Sequence, residues 1–174
     1  MVRADRYACI VDETTFLAYR DREHTMSHPT THNGDPDVFS VRISVRAYEL
    51  DSNGHVNGTV YLSYAEHARW EFLRAAGIDQ EALAGRGVGP VFLETVLRYR
   101  AELRYPDAVD VTCEMRWGSG KTFQVVQRLR RPDGGPVAEV DSVGGLIDLA
   151  TRKLVEQPAR HYRAISRTPS VLGL

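Results

Sequence analysis

A chain of 174 residues, 43% hydrophobic and 26% charged, is long enough for one domain with a substantial core. Its formal net charge of -1 argues against nucleic acid or an anionic membrane as a partner, and no run approaches the roughly 18 apolar residues of a membrane span. No signal-peptide apolar region follows Met1, and the two cysteines, Cys9 and Cys113, form no CxxC pair, so a reducing compartment, the cytoplasm, is expected.

Residues 1 to about 36 read as an extension and a linker. Ile10, Val11, Phe16 and Leu17 suit a short docking segment, and His24 to Pro36 is rich in His, Thr, Asn, Gly and Pro. His24, His28 and His32 are four apart, the spacing at which a helix could share a metal, but Pro29 between them disfavours that helix, and no metal or cofactor is expected. From Phe39 to Tyr48 apolar and polar residues alternate, predicting a strand with one buried face that includes Val41, Ile43, Val45 and Ala47.

The period then changes. From Val60 to Ala76, Tyr61, Tyr64, Ala65, Ala68, Phe72, Ala75 and Ala76 recur at helical spacing, and Gly77 stands where a helix stop is usual. The helix should start near Asn57 to Thr59, which puts Asp51, Asn53 and His55 in the loop before its N-terminus and Gly58 in its first turn. Asp51-Ser52-Asn53-Gly54 is also an ordinary turn, but a hairpin would be followed by a second strand, not by a long helix. Free backbone N–H groups and positive partial charge at such an end suit a developing anion.

Past the helix, Asp79 to Ala84 is a short polar segment in a Gly-rich connection. A long strand is expected from Val91 to about Arg104, then, after Pro106-Asp107, a strand from Val109 to Arg116 that places Cys113 in the core. Thr122 to Arg131 and Pro136 to Leu149 complete the series, with Gly144-Gly145 suggesting a bulge.

Asp51-x-Asn53-x-His55-Val56-Asn57, followed by Tyr61 and by Tyr64-x-Glu66-x-x-Arg69, resembles the signature of hotdog-fold thioesterases, the group that holds 4-hydroxybenzoyl-CoA thioesterases and plant acyl-ACP thioesterases. The resemblance implies an α+β hotdog fold over residues 37–158, one antiparallel sheet wrapped around a long central helix, with 1–36 as the extension and 159–174 as a C-terminal tail. It implies hydrolysis of an acyl-CoA or acyl-carrier-protein thioester, with Asp51 as general base or nucleophile, the Gly58 amide as oxyanion donor, and Asn53 and His55 as orienting groups. Asn57, Tyr61, Glu66 and Glu102 are expected at the substrate. A homodimer or dimer of dimers is implied, with the acyl pocket between the helix start of one chain and the strands of the other.

Two departures stand out. The family often has an Asn where this chain has Gly58, and the Cys that follows the Glu of the plant enzymes is Leu103 here. Glu66 stands three residues before Arg69, a spacing that favours a helix salt bridge. Arg98, Arg100 and Arg104 suit cross-strand ion pairs, while Arg128, Arg130 and Arg131 suit either a solvated face or the phosphates of coenzyme A. Alternative classes are a hotdog dehydratase or hydratase, and an acyl-binding module without turnover. The close Asp51 to His55 spacing matches the thioesterase form better than the first, and the retained acid argues against the second.

Overall fold

The computed structural model describes residues 38–174, so Cys9, the three spaced histidines and most of the expected extension lie outside the described residues. The elements in chain order are β1 (Ser40–Ser44), α1 (Gly58–Ala75), α2 (Gln80–Ala84), β2 (Val88–Tyr99), β3 (Ala108–Thr112), β4 (Glu114–Trp117), β5 (Thr122–Arg130), β6 (Pro136–Asp148) and α3 (Pro158–Ile165). The strands make one antiparallel sheet in the order β1-β3-β5-β6-β2, with β4 also paired to β5. The sheet curls around α1, which is the hotdog arrangement.

The central helix begins and ends on local signals. Asn57 is its N-cap, with Oδ1 accepting from Thr59 N at 3.0 Å and from Thr59 Oγ1 at 2.9 Å. Gly77, just past the C-cap, has φ +73°, and a Cβ there would sit 2.7 Å from the Arg167 side chain. Tyr61, Tyr64, Ala65, Ala68 and Phe72 form the buried face, each large member contributing on the order of 1.5–3 kcal/mol of hydrophobic stabilisation. Ala75, expected on that face, is exposed.

The first strand is shorter than its alternation suggests. After Ser44 the chain leaves the sheet, and Ala47–Glu49 forms a 3-10 turn closed by the Arg46 N–H on the Glu49 carboxylate at 2.8 Å, so Ala47 faces solvent. Likewise β2 stops at Tyr99 and does not run to Arg104. The N–H groups of Arg100 and Ala101 both donate to the Val137 carbonyl, which ends the regular ladder, and Leu103 then drops into the core. The strand expected over Val109 to Arg116 is split into β3 and β4. At the break, the Thr112 hydroxyl takes the Arg128 N–H at 3.1 Å and Cys113 N turns to the Phe39 carbonyl. Cys113 is buried, as its alternation predicts. The bulge lies on β2, between Phe92 and Glu94, opposite Gly144 rather than in the Gly-Gly pair itself.

Residues 159–174, expected as a C-terminal tail, pack onto the rest of the chain. Tyr162 and Leu172 are buried, Trp117 Nε1 donates to the Leu172 carbonyl at 2.7 Å, and Ser166 Oγ donates to the Ala76 carbonyl at 2.7 Å. At the other end of the architecture β2 is a sheet edge of 12 residues, of which only Val88 and Val91 are buried.

Candidate active site

The loop ahead of α1 is built on the Asp51 carboxylate. Its Oδ1 accepts from Asn53 N at 2.8 Å and from His55 N at 3.2 Å, while Asp51 N donates to the His55 carbonyl at 2.7 Å. Oδ2 accepts no hydrogen bond from the described residues. The loop is anchored from outside as well, because Val56 N donates to the Leu103 carbonyl and Asn57 N to the Glu49 carbonyl. Sequence alone placed a carboxylate before the helix; the structure adds that two backbone N–H groups hold one of its oxygens and leave the other open.

Gly58 is the first residue of α1, and its N–H meets no acceptor among the described residues. The orphan amide therefore stands at the positive end of an 18-residue helix. The Tyr99 hydroxyl donates to the Gly58 carbonyl at 3.0 Å. A Cβ on Gly58 would approach that hydroxyl to 2.8 Å. Tyr99 is a neighbour that sequence reasoning missed, since only the β2 register brings it to the helix start.

His55 faces two charges. Its Nε2 lies 2.9 Å from Glu102 Oε2 and 2.7 Å from an Arg104 Nη, and Arg104 Nε also donates to Glu102 Oε1 at 2.9 Å. A ring nitrogen serves one of the two at a time. Unprotonated it accepts from Arg104, and protonated it donates to Glu102. The hydrogen bond from Arg104 holds the Glu102 carboxyl below the usual glutamate range, against a smaller opposing effect of burial. Glu102 thus stands beside His55 and Arg104, and Arg131 donates to its backbone carbonyl.

Other expected site residues have structural duties. The Tyr61 side chain is 3% exposed and its hydroxyl accepts the Leu103 N–H at 3.1 Å, so it forms the floor behind the loop. The side-chain oxygen of Asn57 is spent on capping, and the Asn53 side chain is exposed. Glu66 is also exposed, but it forms no ion pair with Arg69 among the described residues; the Arg69 guanidinium lies instead over the Phe92 ring, 4.4 Å from its centroid. The stacked site across the sheet competes with the local salt bridge and wins. The arginines of the sheet are paired as expected on one face: Arg98 and Arg128 meet Asp141, and Arg100 meets Glu139. Arg128 is therefore not free for a phosphate.

No group of three or more metal-binding side chains occurs among the described residues, and no described helix is long and apolar enough to cross a membrane.

The sequence model of the thioesterase-like superfamily matches residues 45–165. Over 116 residues the chain is 28% identical to the acyl-acyl carrier protein thioesterase ATL3 of Arabidopsis thaliana, a match covering 66% of this chain and 61% of that protein. It is 31% identical over 116 residues to the long-chain acyl-CoA thioesterase FadM of Escherichia coli, covering 66% of this chain and 87% of FadM. The chain thus spans less than two thirds of ATL3 and most of FadM. Among solved structures, a hypothetical protein from Thermus thermophilus, TT1821, superposes with a TM-score of 0.63 at 30% identity, covering 72% of this chain and 95% of that one. The match to the family model spans the loop, α1 and the whole sheet from β2 onward, and on that ground the chain belongs to the thioesterase-like superfamily.

Proposed function

We propose that the protein hydrolyses an acyl thioester of coenzyme A or of an acyl carrier protein to the free acid and thiol. The observation that carries this reading is the pairing of a half-open carboxylate with an unengaged helix-end amide: Asp51 Oδ2 and Gly58 N–H. Water attacks the thioester carbonyl carbon while its proton passes to Asp51. The oxyanion is met by the Gly58 N–H, and collapse of the tetrahedral intermediate breaks the carbon–sulfur bond and releases the thiolate. Direct attack by Asp51, giving an anhydride that water then opens, uses the same groups. His55, set against Glu102 and Arg104, and Asn53 orient the loop or the carbonyl.

The active form in this reading is a homodimer or a dimer of dimers in the cytoplasm. The 12-residue β2 edge, its mostly half-exposed residues, and the outward-facing Leu62, Trp70, Tyr99 and Tyr105 all support a covering partner copy. The names of ATL3 and FadM support a thioester substrate. The test is free-thiol release across acyl-CoA and acyl-carrier-protein thioesters of graded chain length, with light scattering at assay concentration. Absence of turnover on every thioester, or full activity as a monomer, overturns the corresponding part.

A further inference from the structure

A cavity of about 220 Å³ lies between α1 and the sheet, two turns beyond the catalytic loop. Its walls are largely rings: Trp70 and Phe72 from α1, Phe92 from β2, Phe123 from β5 and Tyr162 from α3. Set into this wall is one cation, Arg69, whose guanidinium covers the Phe92 ring; the lining also holds one carboxylate, that of Glu66, which does not pair with it. The groups that act on it electrostatically are Cys113, Glu66 and Tyr162, and no carboxylate among the described residues closes an ion pair with it. Burial pushes the Cys113 thiol up to about 12, so that neighbour is a neutral thiol and supplies no counter-charge.

Size and charge together narrow the occupant. An apolar cavity of about 150 Å³ holds one benzene, so 220 Å³ takes a single substituted ring or a chain of about six carbons. A sixteen-carbon chain has more than twice the carbons of a benzene ring and outgrows this space. The guanidinium adds a demand that hydrocarbon cannot meet. Its planar fork of N–H donors is partly desolvated by the stack on Phe92, and a carboxylate oxygen pair matches that fork. A methyl end would displace water from those donors and return nothing.

We infer that this cavity receives the acyl group and that Arg69 makes it selective for a compact acyl chain or single ring carrying an anionic carboxylate at its far end. The inference rests on the thioesterase reading and on the pairing of two copies. Glu66 at the cavity mouth is eight residues from Gly58, about 12 Å of helix, farther than a compact acyl group spans, so the Asp51 loop serving this cavity comes from the partner subunit.

The test compares kcat/KM for hexanoyl-, adipoyl-, benzoyl-, 4-carboxybenzoyl- and palmitoyl-CoA in wild type, Arg69→Met and Arg69→Lys. Wild type should prefer each carboxylated thioester over its plain counterpart by about tenfold or more, with palmitoyl-CoA the poorest. Arg69→Met should abolish the preference, and Arg69→Lys, which keeps the charge and loses the fork, should fall between. Independently of turnover, titration of Asp51→Asn protein with terephthalate and with benzoate, read by tryptophan fluorescence, should show tighter terephthalate binding that Arg69→Met removes. Arg69-dependent terephthalate binding with no thioester hydrolysed would overturn the thioesterase reading and leave the cavity assignment standing. Hydrolysis with the same substrate ratios in wild type and Arg69→Met, or best turnover of palmitoyl-CoA, overturns the inference.

Discussion

The Tyr99 hydroxyl reaches across from the sheet edge to the first carbonyl of the central helix, donating to Gly58 O at 3.0 Å. It crowds the very spot where any side chain at position 58 would grow, and a Cβ there would stand 2.8 Å from the hydroxyl oxygen. Tyr99 is 55% exposed, so its phenol can swing away, at the expense of that hydrogen bond. Gly58→Ala is therefore expected to fold and to lose about tenfold to a hundredfold in kcat. Gly58→Pro removes the N–H, and Asn57, at φ -56° and ψ 137°, already has the extended conformation that precedes proline. It should fold by circular dichroism and lose more, on the order of 10²–10³. Equal kcat values for the two variants would place the oxyanion elsewhere.

Asp51→Asn should preserve the loop, because the amide oxygen can still accept from Asn53 N and His55 N, while hydrolysis drops by several orders of magnitude. Single turnover in heavy-oxygen water tests for the covalent route. Label found in the Asp51 carboxylate marks an anhydride opened at the Asp51 carbonyl, whereas label found only in the released acid marks water attack at the acyl carbon, of the thioester or of an anhydride.

Cys113 should be silent towards iodoacetamide. Burial holds its pKa near 12, so almost no thiolate exists at pH 8. In a Cys9→Ser background, the native protein is expected to stay unmodified for hours and to be alkylated at once in denaturant. Rapid alkylation of the folded protein would show that the thiol is reached through the cavity that it and Arg69 both line.

The pair Arg42 and Asp110 locks the edge strand β1 to β3, with contacts at 2.7 and 2.8 Å. The hydrogen bond from Arg42 holds the Asp110 carboxyl below its ordinary 3.8. A lowered folded-state pKa stabilises above the ordinary value, and the contribution disappears as pH falls through the folded one. Asp110→Asn should therefore lower Tm at pH 7 by no more than a few degrees, and the gap to wild type should close below about pH 3.8. A gap that persists at pH 2 would mean that the residue acts by shape and not by charge.

The helix boundaries and the loop were legible because their causes are local: Asn57 caps through Thr59, two residues away, and Gly77 adopts a conformation few other residues take cheaply. The strand ends were not. Val137 draws in both Arg100 and Ala101, and Thr112 gives its hydroxyl to Arg128, so β2 and β3 stop where a partner distant in sequence intervenes. The same cause explains Tyr61 and Glu66. Motif position put both at the substrate; Leu103 claims the Tyr61 hydroxyl, and Glu66 lines the cavity without the Arg69 that was to hold it, because that guanidinium lies over Phe92. Nothing in the local pattern of β2 showed that Tyr99 would reach Gly58, and nothing in that of α3 showed that Tyr162 would wall a cavity.

The C-terminal segment closes that cavity from outside the sheet. Tyr162 stands against Phe123 and Trp117, and Trp117 is tied in turn to the Leu172 carbonyl, yet no residue of α3 belongs to the sheet ladder. One wall of the chamber is thus mechanically separate from the frame that aligns Asp51 and Gly58. Substitutions in α3 can re-cut the chamber without disturbing strand pairing, which makes residues 158–172 an exchangeable cassette: a smaller ring at 162 would lengthen the space, and a bulkier neighbour would shorten it, while Asp51 and Gly58 keep their places.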